Sequence, residues 1–176
     1  MKKRIFAILG SASRNSANLH IVQHLARIST DSFVIDICDE LKTLPHFDPE
    51  LSVENPPEQI RAFRKAIEIA DGILICTPEY VFSIPSGLKN AIEWCVATTV
   101  FSGKPVGLIT ASSHGAKGHE ELQLIMRTVM AKFTEETTLL IQGVKGKINE
   151  RGEIIDEVTK EYLTRFIHLY RTLLLD

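Results

Sequence analysis

A doubly wound α/β domain, with five parallel strands in the order 2-1-3-4-5 and helices on both faces, is the fold the sequence predicts. Three observations predict it. Five short apolar runs alternate with five segments whose apolar residues recur at helical spacing. The strand runs are apolar at nearly every position rather than every second one, as strands covered on both faces require. Long polar, aromatic and glycine-bearing loops follow strands one, three and four, where the ligand crevice of such a sheet lies. A length of 176 residues, 44% of them hydrophobic, suits one domain over 1–176 with a sizeable core.

The elements follow in order. Residues 5–9, ended by Gly10, form the first strand. A helix over 17–29 follows, with Ile21, Val22, Leu25 and Ile28 on its apolar face and His20, His24 and Arg27 opposite. Those two histidines lack the acidic context of a metal motif, so no metal is expected. Residues 32–37 are strand two. The stretch 38–57, punctuated by Pro45, Pro49, Pro56 and Pro57, reads as a long irregular loop that covers a site or a partner. Pro57 suits a first helical turn. Ile60, Phe63, Ile67 and Ala70 mark the buried face of helix two, and Gly72 reads as its C-terminal cap. Residues 73–76 are strand three, 77–87 a second long loop, and 88–95 helix three. Strand four covers 106–110 and a third polar loop covers 111–118. Helix four carries Leu122, Ile125, Met126, Val129 and Phe133, read as core. Strand five spans 137–142, an exposed turn 149–152, and the last helix 157–174.

Composition excludes several classes of function. A net charge of −2 gives no basic face for nucleic acid. It also argues against a strongly acidic electron-carrier protein. No apolar stretch approaches the roughly 18 residues of a membrane span, and no leader segment is expected. Cys38, Cys76 and Cys95 are odd in number, widely spaced and free of any CxxC pair. They read as free thiols in a reducing cytoplasm.

The chemistry concentrates in the first turn. Ser11, Ser13, Arg14, Ser16 and Asn18 stand between a buried strand and a helix, where unpaired N–H groups and the helix dipole favour an anion. The hydroxyls and amide donate neutral hydrogen bonds and Arg14 a forked, charged one. The cluster has neither a Walker lysine nor the three glycines of a dinucleotide fingerprint. A cap plus a turn is its plainer reading. In the order 2-1-3-4-5 the loops after strands one, three and four all surround one crevice at the switch point.

The residues also carry a resemblance. Gly10-Ser11-x-x-Arg14-x-Ser16-x-Asn18 is similar to the phosphate loop of the NADPH-dependent FMN reductase family. Thr77-Pro78-Glu79-Tyr80, followed by Ser83-Ile84-Pro85 and Leu88-Lys89-Asn90-Ala91-Ile92-Glu93-Trp94, resembles that family's most specific segment. The resemblance implies a flavodoxin-like fold, bound FMN, and reduction of quinones, azo compounds, metal oxyanions or free flavin by NADPH or NADH. It also implies a homodimer or homotetramer with the flavin near a subunit interface. On this reading Pro78, Glu79, Tyr80, Val81 and Phe82 face the flavin ring, and Ser112, His114 and Gly115 flank its far edge. Glu79 takes a structural or polar-contact role rather than proton transfer. His114 supports the ring or gates the nicotinamide, or is a plain loop histidine. No protein catalytic residue is required, because the flavin carries the hydride chemistry.

Three departures stand out. Val81 and Phe82 replace the family's Asn-Gly, Ser86 replaces a glycine after Pro85, and Ser113 and His114 occupy a loop usually rich in glycine. Phe82 suits a lid, a partner-facing apolar residue, or simple packing within the loop. Two other classes stay open: a flavodoxin-like electron carrier, and a non-catalytic flavin-binding or regulatory protein.

Overall fold

A computed structural model describes residues 2–175; Met1 and Asp176, the two ends of the expected domain, lie outside them. The strands are β1 (Lys3–Leu9), β2 (Phe33–Cys38), β3 (Gly72–Thr77), β4 (Val106–Ser112) and β5 (Thr138–Gln142). They form one parallel sheet in the order β2-β1-β3-β4-β5. The helices are α1 (Ala17–Ile28), α2 (Pro49–Glu54), α3 (Glu58–Ile69), α4 (Ser86–Glu93), α5 (Ala116–Thr128) and α6 (Glu157–Leu173). No helix among the described residues is long and apolar enough to cross a membrane.

Burial explains the layering. All six residues of β3 are buried, as the unbroken apolar run at the centre of the sheet demands. Ile21, Val22 and Leu25 of α1 and Leu163, Phe166 and Tyr170 of α6 pack on one face. Phe63 and Ile67 of α3, Leu88 and Ile92 of α4, and Leu122 and Met126 of α5 cover the other. The Tyr170 hydroxyl is buried and donates to the Ile73 carbonyl at 2.7 Å, so its polar atom is satisfied inside the core. Register brings the carboxyl ends of the central strands level. Leu9 pairs with Cys76, and Thr77 with Thr110, so the loops after β1, β3 and β4 leave from one edge.

Several sequence expectations change. The stretch 38–57 is not wholly irregular: it holds a short 3-10 turn, Leu41–Thr43, and α2. Asp48 caps α2, its carboxylate accepting from the Glu50 and Leu51 amides, with Pro49 in the first turn. Pro57 is the N-cap of α3 rather than part of its first turn. Gly72 is no helix cap but the first residue of β3. A Cβ there would lie 2.5 Å from the Tyr170 hydroxyl, so close packing against α6 is what requires glycine. Ile28 is exposed. Helix three starts two residues early, at Ser86, and Cys95 lies beyond its end. Ala111 and Ser112 belong to β4, while residues 116–118 already belong to α5, so the third loop shrinks to 113–115. Val129 is the C-cap of α5, and Phe133 lies past it, its ring under the Arg127 guanidinium.

Candidate functional site

The first turn leaves β1 at Gly10, whose N–H donates to the Cys76 carbonyl at 2.9 Å. A Cβ on Gly10 would stand 2.1 Å from Thr77 Oγ1, so only glycine lets the turn pass this close to the end of β3. Ser11 Oγ accepts from the Ser13 amide and Ser16 Oγ from the Leu19 amide, capping α1. The amides of residues 14–17 have no partner among the described residues. The first turn of α1 contains no acidic residue. Ser13 and Arg14 are exposed, and no other described residue engages the Arg14 guanidinium. Unpaired donors and the positive end of the α1 dipole thus meet in one turn that also carries an exposed arginine, an arrangement fit for a phosphate. Asn18 stands apart. It is buried, donates to the Ala111 carbonyl at 3.2 Å and accepts from Cys76 Sγ at 3.3 Å, tying α1 to β3 and β4.

The loop after β3 is a tight hairpin. Tyr80 and Ser83 exchange both backbone hydrogen bonds, at 2.9 and 3.0 Å, with Val81 and Phe82 between them. Both central residues have positive φ, 52° and 60°, which defines a type I′ turn. Asn-Gly is the favoured pair for that geometry; a β-branched valine there is an outlier. Each such residue costs of order 1–3 kcal/mol, so the turn carries about 2–6 kcal/mol of strain. The Val81 and Phe82 side chains are 95% and 74% exposed. Their N–H and C=O groups have no partner among the described residues, leaving two donors and two acceptors at the crevice.

The loop after β4 supports that hairpin. The Glu79 carboxylate accepts from the Gly115 amide at 3.1 Å and the Gly118 amide at 2.8 Å, at the N-terminus of α5. These amides, with His114 nearby, hold its pKa below the usual glutamate value. The carboxylate is therefore occupied by the fold and ionised at neutral pH. Gly115 has φ of +89° and is the N-cap of α5. Pro78 is buried, Tyr80 and His114 are exposed, and the Ser112 hydroxyl lies 3.5 Å from the Glu79 carbonyl.

A cleft of about 440 Å³ opens beside these loops, lined by Ser11, Tyr80 and Ser86 together with Leu41, Lys42 and His46. The last three come from the segment after β2, which is pinned to α4. Asn90 accepts from the Phe47 amide at 2.7 Å and donates to the Pro45 carbonyl at 3.0 Å. Trp94 Nε1 donates to the same carbonyl at 2.8 Å, and its ring meets Phe47 edge-on at 5.4 Å. Arg64 then bonds the Trp94 carbonyl and Ser52. A larger hollow of about 590 Å³ is lined by α6 residues alone and lacks a second wall. The structure thus brings Ser11, Ser13, Arg14 and Ser16 to one cradle and residues 78–82 to the neighbouring loop, next to Ser112, His114 and Gly115. It turns the side chains of Asn18 and Glu79 into the fold.

The match to known proteins agrees with this arrangement. A family model described as NADPH-dependent FMN reductase matches residues 3–145. The chain belongs to that family. A 2-hydroxy-1,4-benzoquinone reductase from a Burkholderia species is 34% identical over 97% of this chain and 95% of its own. A quinone reductase of Escherichia coli K12 is 31% identical over 93% and 90%. FerB of Paracoccus denitrificans, a flavoenzyme NAD(P)H:(acceptor) oxidoreductase, superposes with a TM-score of 0.78 at 22% identity, covering 98% of this chain and 97% of that one. The chain is therefore an FMN-using NAD(P)H oxidoreductase with a flavodoxin-like fold. Within this chain, Asn90 and Trp94 hold the segment after β2 that lines the cleft.

Sequence reasoning overlooked four residues of this region. Asn90 and Trp94 were visible only as parts of a motif, and Lys42 and His46 lay in a stretch read as irregular. The Asp48-Pro49 pair, a capping residue before a first-turn proline, was the available signal that part of this stretch is ordered.

Proposed function

We propose that this protein takes hydride from NAD(P)H and passes two electrons to a small quinone, working in the cytoplasm as a homodimer or homotetramer. The balance is NAD(P)H, a proton and quinone giving NAD(P)+ and hydroquinone, and bound FMN supplies the two-electron storage between the half-reactions. One observation carries the reading: an acid-free helix N-terminus with an uncommitted Arg14 lies at the same sheet edge as a turn with two unpaired donors and two unpaired acceptors.

The residues divide the work. Ser11, Ser13, Arg14 and Ser16 hold the phosphate with hydroxyls, amides and one guanidinium. The Val81 and Phe82 backbones would offer their unpaired donors and acceptors to the flavin, and residues 112–115 would flank it. Glu79 moves no proton; its carboxylate holds the loop after β3 against α5. The cleft beside Tyr80, walled by Leu41 and Leu44, receives the acceptor. The exposed Val81 and Phe82 side chains support placing a second subunit against the ring loop.

Purified protein is expected to be yellow, to release FMN on denaturation, and to oxidise NAD(P)H with benzoquinone. Gel filtration should give a dimer or tetramer. Colourless protein that takes up no added FMN overturns the reading. Flavin-loaded protein without NAD(P)H:quinone activity would leave it an electron carrier.

A further inference from the structure

We propose that Glu121 is a positioning residue that locks the strained ring loop in its type I′ form, substituting for the turn preference that Asn-Gly would supply. Its effect on flavin rests on the FMN site proposed above; its effect on the loop does not.

The hairpin is tied to α5 by both legs. On the entry leg, the Glu79 carboxylate accepts from the Gly115 and Gly118 amides. On the exit leg, Glu121 Oε2 accepts from the Ser83 hydroxyl at 2.6 Å and from the Ile84 amide at 3.0 Å. Both are charge-assisted hydrogen bonds, the shorter one at the distance expected for a hydroxyl on a carboxylate. Gly118 makes the docking possible, since a Cβ there would come within 3.2 Å of Glu79 Cβ and 3.3 Å of the Ser83 carbonyl.

The turn between the legs needs this hold. Its two central residues sit in the left-handed region, which neither valine nor phenylalanine favours. The Val81 and Phe82 side chains, largely exposed, contribute little packing that would fix it. What remains is the pair of bonds between Tyr80 and Ser83, plus the two carboxylates. Releasing the exit leg lets the backbone relax toward negative φ, which swings the unpaired groups of Val81 and Phe82 away from the ring. An Asn-Gly turn adopts the same geometry without help, so the need for Glu121 is specific to the residues found here.

The test is a cycle of Glu121→Ala and Glu121→Gln, each in the native chain and in Val81→Asn/Phe82→Gly. Two readouts apply: exchange of the Ser83 amide in flavin-free protein, and FMN affinity with the visible spectrum of the bound flavin. In the native turn, Glu121→Ala should speed Ser83 exchange about tenfold or more, weaken FMN about 10- to 100-fold and shift the flavin bands. Glu121→Gln keeps an oxygen acceptor and should rescue most of both losses. In the Asn-Gly turn, Glu121→Ala should cost less than about threefold. Equal losses in the two backgrounds, or unchanged Ser83 exchange in the native one, overturn the assignment. Should Glu121→Ala fail to fold, Ser83→Ala, which removes the shorter of the two bonds to Glu121, takes its place in the cycle with the amide of residue 83 as the readout, and equal acceleration in the two backgrounds overturns the assignment. If no form binds FMN, the proposed function fails, and Ser83 exchange still judges the lock.

Discussion

Replacing Arg14 by alanine separates a phosphate anchor from an ordinary surface arginine. In the structure the guanidinium is exposed and engages no other described residue, so the fold loses nothing when it goes. Surface substitutions of that kind stay within about 0.5 kcal/mol, and the melting temperature should barely move. The ligand effect is larger. One charge-assisted hydrogen bond contributes roughly 1.5–3 kcal/mol. At about 1.4 kcal/mol per tenfold, that is a loss of roughly 10- to 150-fold in FMN affinity. Riboflavin has the same ring and ribityl chain without the phosphate, so its affinity should fall less than about twofold on the same reasoning. Titration of both flavins, followed by quenching of their fluorescence, measures the two losses on one protein sample. Equal losses for FMN and riboflavin, or none for either, would refute the assignment of Arg14 to the phosphate.

Two further outcomes follow from close contacts and charge. Gly10→Ala forces a Cβ to 2.1 Å from Thr77 Oγ1 and 2.6 Å from Thr77 Cβ, both at the end of a buried strand. Overpacking of about 1–3 kcal/mol should lower the melting temperature by roughly 2–12 °C; an unchanged melt would show that the turn gives way freely. Asp156 caps α6, accepting from the Thr159 amide and hydroxyl, and pairs with Lys147 at 3.0 Å. These bonds hold its pKa down at about 2, below the unfolded value near 3.9. A depressed folded pKa adds stability that is fully present above the unfolded value and is lost as pH falls toward the folded one. Asp156→Asn should therefore narrow its deficit against the parent between pH 4 and pH 2, followed by denaturant melts; a constant deficit across that window counts against the coupling.

The sheet was legible because its information is local. Each strand is an apolar run too short for a helix, and the turn chemistry at Gly10 marks where the chain leaves the edge. The loops that meet in the crevice carry their own polar and glycine-bearing signatures, and the order of the strands brings them together. What stayed hidden depends on distant partners. Nothing near Gly72 announces that its lack of a side chain makes room for Tyr170, almost a hundred residues later. Asn18 looks like a donor for the cradle until its amide is found spent on Ala111 and Cys76. Glu121 is one polar residue among many on α5, and only the fold sets it beneath Ser83. The replacement of Asn-Gly by Val81 and Phe82 was visible as a departure. That both positions nonetheless hold positive φ, in a type I′ turn, depends on contacts with α5 that local sequence does not reveal.

The two parts of the cleft answer to different helices. The stretch after β2 hangs from α4 through Asn90 and Trp94, while the loop bearing Tyr80, though it runs on into α4, is moored to α5 by Glu79 and Glu121. The width of the opening therefore follows how α4 and α5 stand to each other, and the apolar cluster that both helices share, with Leu88 and Ile92 from one and Leu122 and Met126 from the other, serves as its spacer.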